Sequence, residues 1–181
     1  MQAWGVGETD GCIGNRSRFG SLDDRQYGGQ GTPARCRCPK KAGDQALGRS
    51  RGGLSTKIHA TVDALGNPLR CLLSGGHVAD ITHGQALIEG FAAQALLADQ
   101  GYDANHLLDY LAERDIEAVI PPKANRLEQR EYDRHVYKDR NLVERFFNRI
   151  KQFRRIATRY GKLARNFFAM LNLVCAYIWL A

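Results

Sequence analysis

The chain reads as an α/β domain, a mixed sheet flanked by helices, on three observations. Residues 55–63 alternate, with Thr56, Ile58, Ala60 and Val62 set against Ser55, Lys57, His59 and Thr61, the period of a half-buried strand. Gln94-Ala95-Leu96-Leu97-Ala98-Asp99 is a short apolar run ending in an acid, which suits a strand buried on both faces. Across residues 137–157 the period changes: Leu142, Val143, Phe146, Ile150, Phe153 and Ala157 share one sector of a helix, giving it a core side.

In chain order, residues 1–39 are rich in Gly, Arg and Cys and show neither period. They are read as a disordered leader, ahead of one domain over residues 40–181. After the alternating strand, Asp63-Ala64-Leu65-Gly66-Asn67-Pro68 predicts a hairpin turn, and residues 69–73 the returning strand. Residues 75–80 form a loop and residues 81–93 a helix across the sheet; Asp63 and Asp80 take turn and capping roles. Past Asp99, Gly101 supplies a turn, and Asp103 or Asn105 caps a helix carrying Leu107, Leu108 and Leu111. Residues 117–120 make the next strand, stopped by Pro121-Pro122. This strand–helix–strand unit puts Asp99 at the carboxyl end of a strand, where open α/β sheets bind ligands; a turn-forming Asp is the plainer alternative. The apolar residues 164–181 are interrupted by Arg165, Asn166 and Asn172, so they predict a closing helix on the sheet rather than a membrane span. Residues 1–20 lack the apolar core of a signal peptide.

At 100° per residue, Tyr137, Arg140, Glu144, Asn148, Lys151 and Arg155 fall within an arc of about 80°. One reading is a solvated face on which Arg140 and Glu144 form an i,i+4 pair, worth about 0.2–0.5 kcal/mol. The other is a metal-binding Glu144 among phosphate-binding cations. The net charge is +7, and residues 123–165 carry 14 Lys and Arg against 5 Asp and Glu, so the excess is concentrated there. A localised basic stripe is an electrostatic footprint for phosphate; a generic charged surface or an RNA-binding module stays open. Tyr132, Tyr137 and Tyr160 are placed to stack on unpaired bases, whereas Phe146, Phe147 and Phe153 suit the core. The five Cys form neither a disulfide framework nor a zinc spacing. His59, His77 and His83 lack tight ligand spacing and read as structural or surface residues.

Three segments together carry a resemblance: the Tyr137, Arg140, Glu144, Lys151 spacing; Ala98-Asp99-Gln100-Gly101-Tyr102-Asp103; and Gly48-Arg49-Ser50-Arg51-Gly52-Gly53-Leu54-Ser55-Thr56-Lys57-Ile58-His59. Residues 40–181 resemble bacterial insertion-sequence transposases of the DDE class, insertion-sequence-five type. The resemblance implies a ribonuclease-H-like (retroviral-integrase-like) fold in which an Asp, a second Asp and a Glu hold two divalent ions, Mg²⁺ or Mn²⁺. It makes Asp99 the second acid and Glu144 the third, both catalytic and metal-holding, and Tyr137, Arg140, Lys151 and Arg155 DNA-binding. The implied reaction is metal-dependent cleavage and transfer of DNA strands. The implied partners are double-stranded DNA, as terminal inverted repeats and target, and further copies of the chain. The implied setting is the bacterial cytoplasm, at the nucleoid when DNA is bound, with no membrane. In-line displacement at phosphorus builds charge on the entering and leaving oxygens, which two metals held by carboxylates can stabilise.

The first acid has no clear position. Family members carry it on a first strand upstream of the run seen here as Gly43-Asp44-Gln45-Ala46-Leu47-Gly48-Arg49. Asp23 and Asp24 stand at about the right separation but lack an apolar strand, so the role is not transferred to them. Synonymous codons for residues 22–38 exist whose shifted frame reads Leu-Met-Ile-Asp-Asn-Thr-Val-Val-Lys-Ala-His-Gln-His-Ala-Ala-Gly-Ala, with the Asp overlapping the Arg25 codon. Residues ahead of Lys40 are therefore read as out of frame. The first strand is then missing or replaced, and strand cleavage impaired. The alternative is a non-catalytic DNA-binding remnant or regulator of transposition.

Overall fold

The computed structural model describes residues 43–50, 53–127 and 129–180. The leader expected over residues 1–39, with Asp23 and Asp24, lies outside the described residues. Strand β1 (Gly48–Ser50) runs antiparallel to the start of β2 (Gly53–Val62), and β2 pairs antiparallel with β3 (Pro68–Gly75). The β2–β3 turn forms as expected. The Asp63 carboxylate accepts from the backbone N–H of Leu65 and of Asn67, both at 2.8 Å. Gly66 takes φ +88°, a conformation that costs glycine little.

The expected half-burial of β2 does not hold. Ile58, Ala60 and Val62 are buried on one face and His59 and Thr61 on the other, because helices cover both. The polar face is satisfied internally: His59 Nε2 bonds Ser74 Oγ at 2.7 Å, and Thr61 Oγ1 donates to the Leu87 carbonyl at 2.9 Å.

The helix expected over residues 81–93 is only α1 (Gly84–Ile88), entered through a 3₁₀ turn over Asp80–His83. Glu89 leaves helical geometry with ψ 128°, and Gly90 follows at φ +80°. Asp80 caps nothing; its carboxylate pairs with Lys57 Nζ at 3.0 Å. Strands β4 (Ala95–Leu97) and β5 (Glu117–Val119) are parallel and joined through α2 (Asn105–Ala112). Leu96, Leu97 and Ala98 are fully buried, as the continuous apolar run predicts. The N-cap of α2 is Ala104 without a side-chain bond, so neither Asp103 nor Asn105 caps it.

Among the described residues the strands form two ladders, β1–β2–β3 and β4–β5, rather than one mixed sheet. The expectation that the first strand is missing or replaced falls on residues outside the described ones. One core joins Ile58, Ala60, Val62 and Cys71 to α4 (Asn141–Lys151) and α6 (Ala164–Leu180). Its spacing on α6, through Phe167, Leu171, Val174 and Ile178, is that of a single helix stripe. The other core joins Leu72 to Leu87, Leu96, Tyr102, Leu107 and Leu111. The architecture is thus mixed α/β with helices on both sides of the β2–β3 hairpin. Helix α6 packs on β3 as expected, and Trp179 Nε1 donates to the Pro68 carbonyl at 2.7 Å. No helix among the described residues is long and apolar enough to cross a membrane.

The single helix expected over residues 137–157 is broken into α3 (Arg134–Tyr137), a 3₁₀ turn (Lys138–Arg140), α4, and α5 (Arg154–Ala157). The second break falls at Phe153, whose ψ of 103° leaves the helix. There the ring meets Tyr177 edge-on at 5.8 Å, and Ile156 is carried into the core.

Candidate functional site

Asp99 follows β4 with extended backbone, and its carboxylate accepts from the Gln100 N–H at 2.9 Å. The bond opens a short 3₁₀ turn (Gln100–Tyr102), the local reason that an Asp suits the strand end. Glu144 lies in the first turn of α4, where the helix N-terminus favours an anion. Val143, Phe146, Phe147 and Ile150 bury the opposite side of α4 and so aim Glu144 outward.

Arg140, half-buried in the turn preceding α4, draws the two acids together. Its Nη1 reaches Asp99 Oδ1 at 3.4 Å and its Nη2 reaches Glu144 Oε1 at 3.3 Å. The guanidinium also sits 5.2 Å from the Tyr137 ring centroid, and Tyr137 meets Tyr132 edge-on at 5.5 Å. Asp99, Arg140, Glu144 and Tyr137, 45 residues apart at the extremes in sequence, therefore share one surface. The Asp99 and Glu144 side chains remain 43 % and 46 % exposed. Ion pairs this open and this long contribute under about 1 kcal/mol. A positive charge between two neighbouring carboxylates offsets their mutual repulsion. Here Arg140 supplies it. Their oxygens are the hard donors that Mg²⁺ or Mn²⁺ takes, so the donor set fits such an ion in kind. Among the described residues, no group of three His, Cys, Asp or Glu is placed to hold a metal ion.

Lys151 is exposed at the end of α4. Arg155 is not on the helix of Glu144. It lies on α5, beyond the break at Phe153, and lines a separate cleft with Tyr160 and Asn166. The stripe drawn from Tyr137 to Arg155 is thus two surfaces.

Asp103 was given the wrong role by its position before a helix. Its side chain is fully buried; Oδ2 accepts from Arg126 Nε at 2.7 Å and the Lys123 N–H at 2.8 Å, while Oδ1 lies 3.7 Å from Arg130 Nη2. Arg126 also reaches Asn105 Oδ1 at 2.6 Å, and Arg130 reaches the Ile120 carbonyl at 2.8 Å. Together with Gln100 Nε2 on the Pro122 carbonyl at 3.0 Å, these bonds fasten the segment after β5 beside the turn that carries Asp99. Nothing local in the sequence signals it, since Arg126 and Arg130 have Glu128 and Glu131 nearer in the chain than Asp103.

Of the three histidines, His59 is buried, His83 half-buried and His77 exposed. His59 is buried against Ser74, with the His83 ring at 4.8 Å. Burial, then the neighbouring His83, pushes its pKa down to about 4.

The transposase DDE domain family model matches residues 31–179. The chain is 38% identical over 130 residues to the protein named as transposase for insertion sequence element IS6501 of Brucella ovis, covering 70% of this chain and 99% of that one. It is 29% identical over 181 residues to the protein named as transposase for insertion sequence element IS402 of Burkholderia cepacia, covering 93% of this chain and 77% of that one. No solved structure matches the chain.

Proposed function

The chain belongs to the DDE transposase family, and from that premise we propose that it acts on the DNA ends of an insertion sequence, cleaving and transferring strands with a divalent ion. The observation that carries this reading is the meeting of Asp99 and Glu144, from separate elements, over one guanidinium. In this reading Asp99 and Glu144 hold the metal, Mg²⁺ or Mn²⁺. When bound, such an ion stabilises negative charge on the oxygens that enter and leave phosphorus. Arg140 carries two N–H groups, now on Asp99 and Glu144, that would suit a phosphate beside the site. Tyr137 holds the guanidinium from below, and Lys151 adds a point charge on the same helix. The sheet takes the ribonuclease-H-like arrangement once a first strand is in place, and further copies of the chain assemble on paired DNA ends.

Of the three acids such a site uses, two have a candidate among the described residues, Asp99 and Glu144. The chain is therefore expected to bind DNA and cleave it poorly. A DNA-binding remnant or regulator of transposition is the second reading. A strand-transfer assay on duplexes bearing the element's ends separates the two. Replacing the leader by the strand of the shifted frame should give Mg²⁺-dependent products, and Asp99→Ala or Glu144→Ala in that background should remove them. Robust cleavage by the unaltered chain would contradict the account of the missing acid. Failure of the repaired chain would leave the binding-only reading standing.

A further inference from the structure

Between α5 and α6 lies an open cleft of about 510 Å³, lined by Arg155, Tyr160, Gly161, Asn166, Phe167 and Met170. Its size is that of a small-ligand site. Phe167 is buried and makes the floor, whereas the Tyr160 side chain is 63% exposed. A Cβ built on Gly161 would meet nothing within 4 Å, so the approach beside Tyr160 is clear. None of the described lining residues is acidic.

The loop bearing Tyr160 is fixed from beneath. Arg159 is 4% exposed, and its guanidinium donates to the Gly161 and Lys162 carbonyls at 3.0 Å each, to the Gln45 carbonyl at 2.9 Å and to Thr56 Oγ1 at 2.6 Å. An exposed aromatic ring thus stands on a loop tied to β2 and to the residues before β1. Ordering it on binding costs little, since the ordering is already done.

The geometry points to a site for an unpaired DNA base and its adjoining phosphate. The base stacks on Tyr160 against the apolar floor of Phe167 and Met170, the Asn166 amide meets its polar edge, and Arg155 takes the phosphate. An aromatic face with a neighbouring cation and no fixed set of hydrogen-bonding partners is the chemistry of base stacking without strong sequence preference. The site lies between α5 and α6 and on the loop joining them, apart from the helix of Glu144, and it deepens the DNA reading on which it rests.

Anisotropy titrations of the full chain with a labelled ten-nucleotide oligothymidylate, an abasic strand of equal length and a blunt duplex test it. Wild type should prefer the base-bearing strand to the abasic one. That preference should shrink at least about fivefold in Tyr160→Ala and survive in Tyr160→Phe. Arg155→Ala should weaken both single strands alike. Circular dichroism melting should show each variant folded, since Tyr160 and Arg155 are exposed. Wild type without the preference, or Tyr160→Ala keeping it, overturns the cleft's role. If duplex binding persists in that case, the cleft alone is lost; if the wild-type chain binds no DNA at all, the cleft and the DNA reading fall together.

Discussion

Asp99 and Asp103 are four residues apart and each faces arginine, yet they sit in opposite environments. Asp103 is fully buried, with Arg126 at 2.7 Å. Asp99 is 43 % exposed and shares Arg140 with Glu144 at 3.4 and 3.3 Å. Desolvated, multiply bonded charge holds structure, because losing either partner strands the other in a poor dielectric. Open, long and shared charge holds little, and its cation can be exchanged. The contrast separates a latch from a site more sharply than residue type or motif does, since both acids belong to the same six-residue segment.

The same substitution at the two positions should therefore give different results. Asp103→Ala is expected to cost about 1–3 kcal/mol in chemical denaturation, since it removes the buried acceptor of the Arg126 guanidinium and of the Lys123 N–H. Asp99→Ala is expected to change stability by under about 1 kcal/mol. Equal losses at both positions would erase the distinction.

His59 sharpens the buried side. Its folded pKa, about 4, lies below the ordinary value of 6.5. Between those values the unfolded chain binds a proton that the folded chain does not, so this part of the stability is complete above about pH 6.5 and drains away as pH falls toward 4. The size is on the order of 2–3 kcal/mol. Denaturant melts at pH 7 and pH 4.5 should show it, and His59→Gln should flatten the difference. An unchanged pH dependence in His59→Gln would show that His59 is not the group responsible.

The smallest effects belong to the open side. Arg140→Ala and Lys151→Ala should each weaken DNA binding with little regard to base sequence and reduce the magnitude of the salt slope by about one. Arg140→Lys should also be damaging, because a guanidinium engages phosphate through two N–H groups. Variants that lower only the melting temperature, with affinity and slope intact, would return Arg140 to the role of helix-surface partner of Glu144.

Much of this was legible from local pattern. The hairpin between β2 and β3 follows from alternation around Asp63 and Gly66, β4 from an unbroken apolar run, and α6 from an apolar run interrupted by Arg165, Asn166 and Asn172. What failed depended on neighbours far away in the chain. The polar residues of β2 looked solvent-facing because the α1 segment that accepts the Thr61 hydroxyl proton lies 26 positions on. Asp103 looked like a cap because its arginine is 23 positions downstream. Arg155 was placed beside Glu144 by a helical wheel that assumes an unbroken helix, and Phe153 breaks it in order to reach Tyr177. For the candidate site, strand-end placement and helix stripe each leave a plainer alternative, a turn-forming Asp99 and a solvated Glu144, and it is the resemblance that pairs the two acids. The bridging of both acids by Arg140 was not readable, since only the pairing with Glu144 is local.

The central claim is that Asp99 and Glu144 act as one cation site. Titration of the chain with Mn²⁺, following free ion by electron paramagnetic resonance, tests it without any need for turnover. Binding should be weak but saturable, and Asp99→Asn and Glu144→Gln should each lower the affinity at least about tenfold, while Asp80→Asn, whose carboxylate pairs with Lys57, should not. Equal Mn²⁺ affinity in wild type and both site variants would contradict the account.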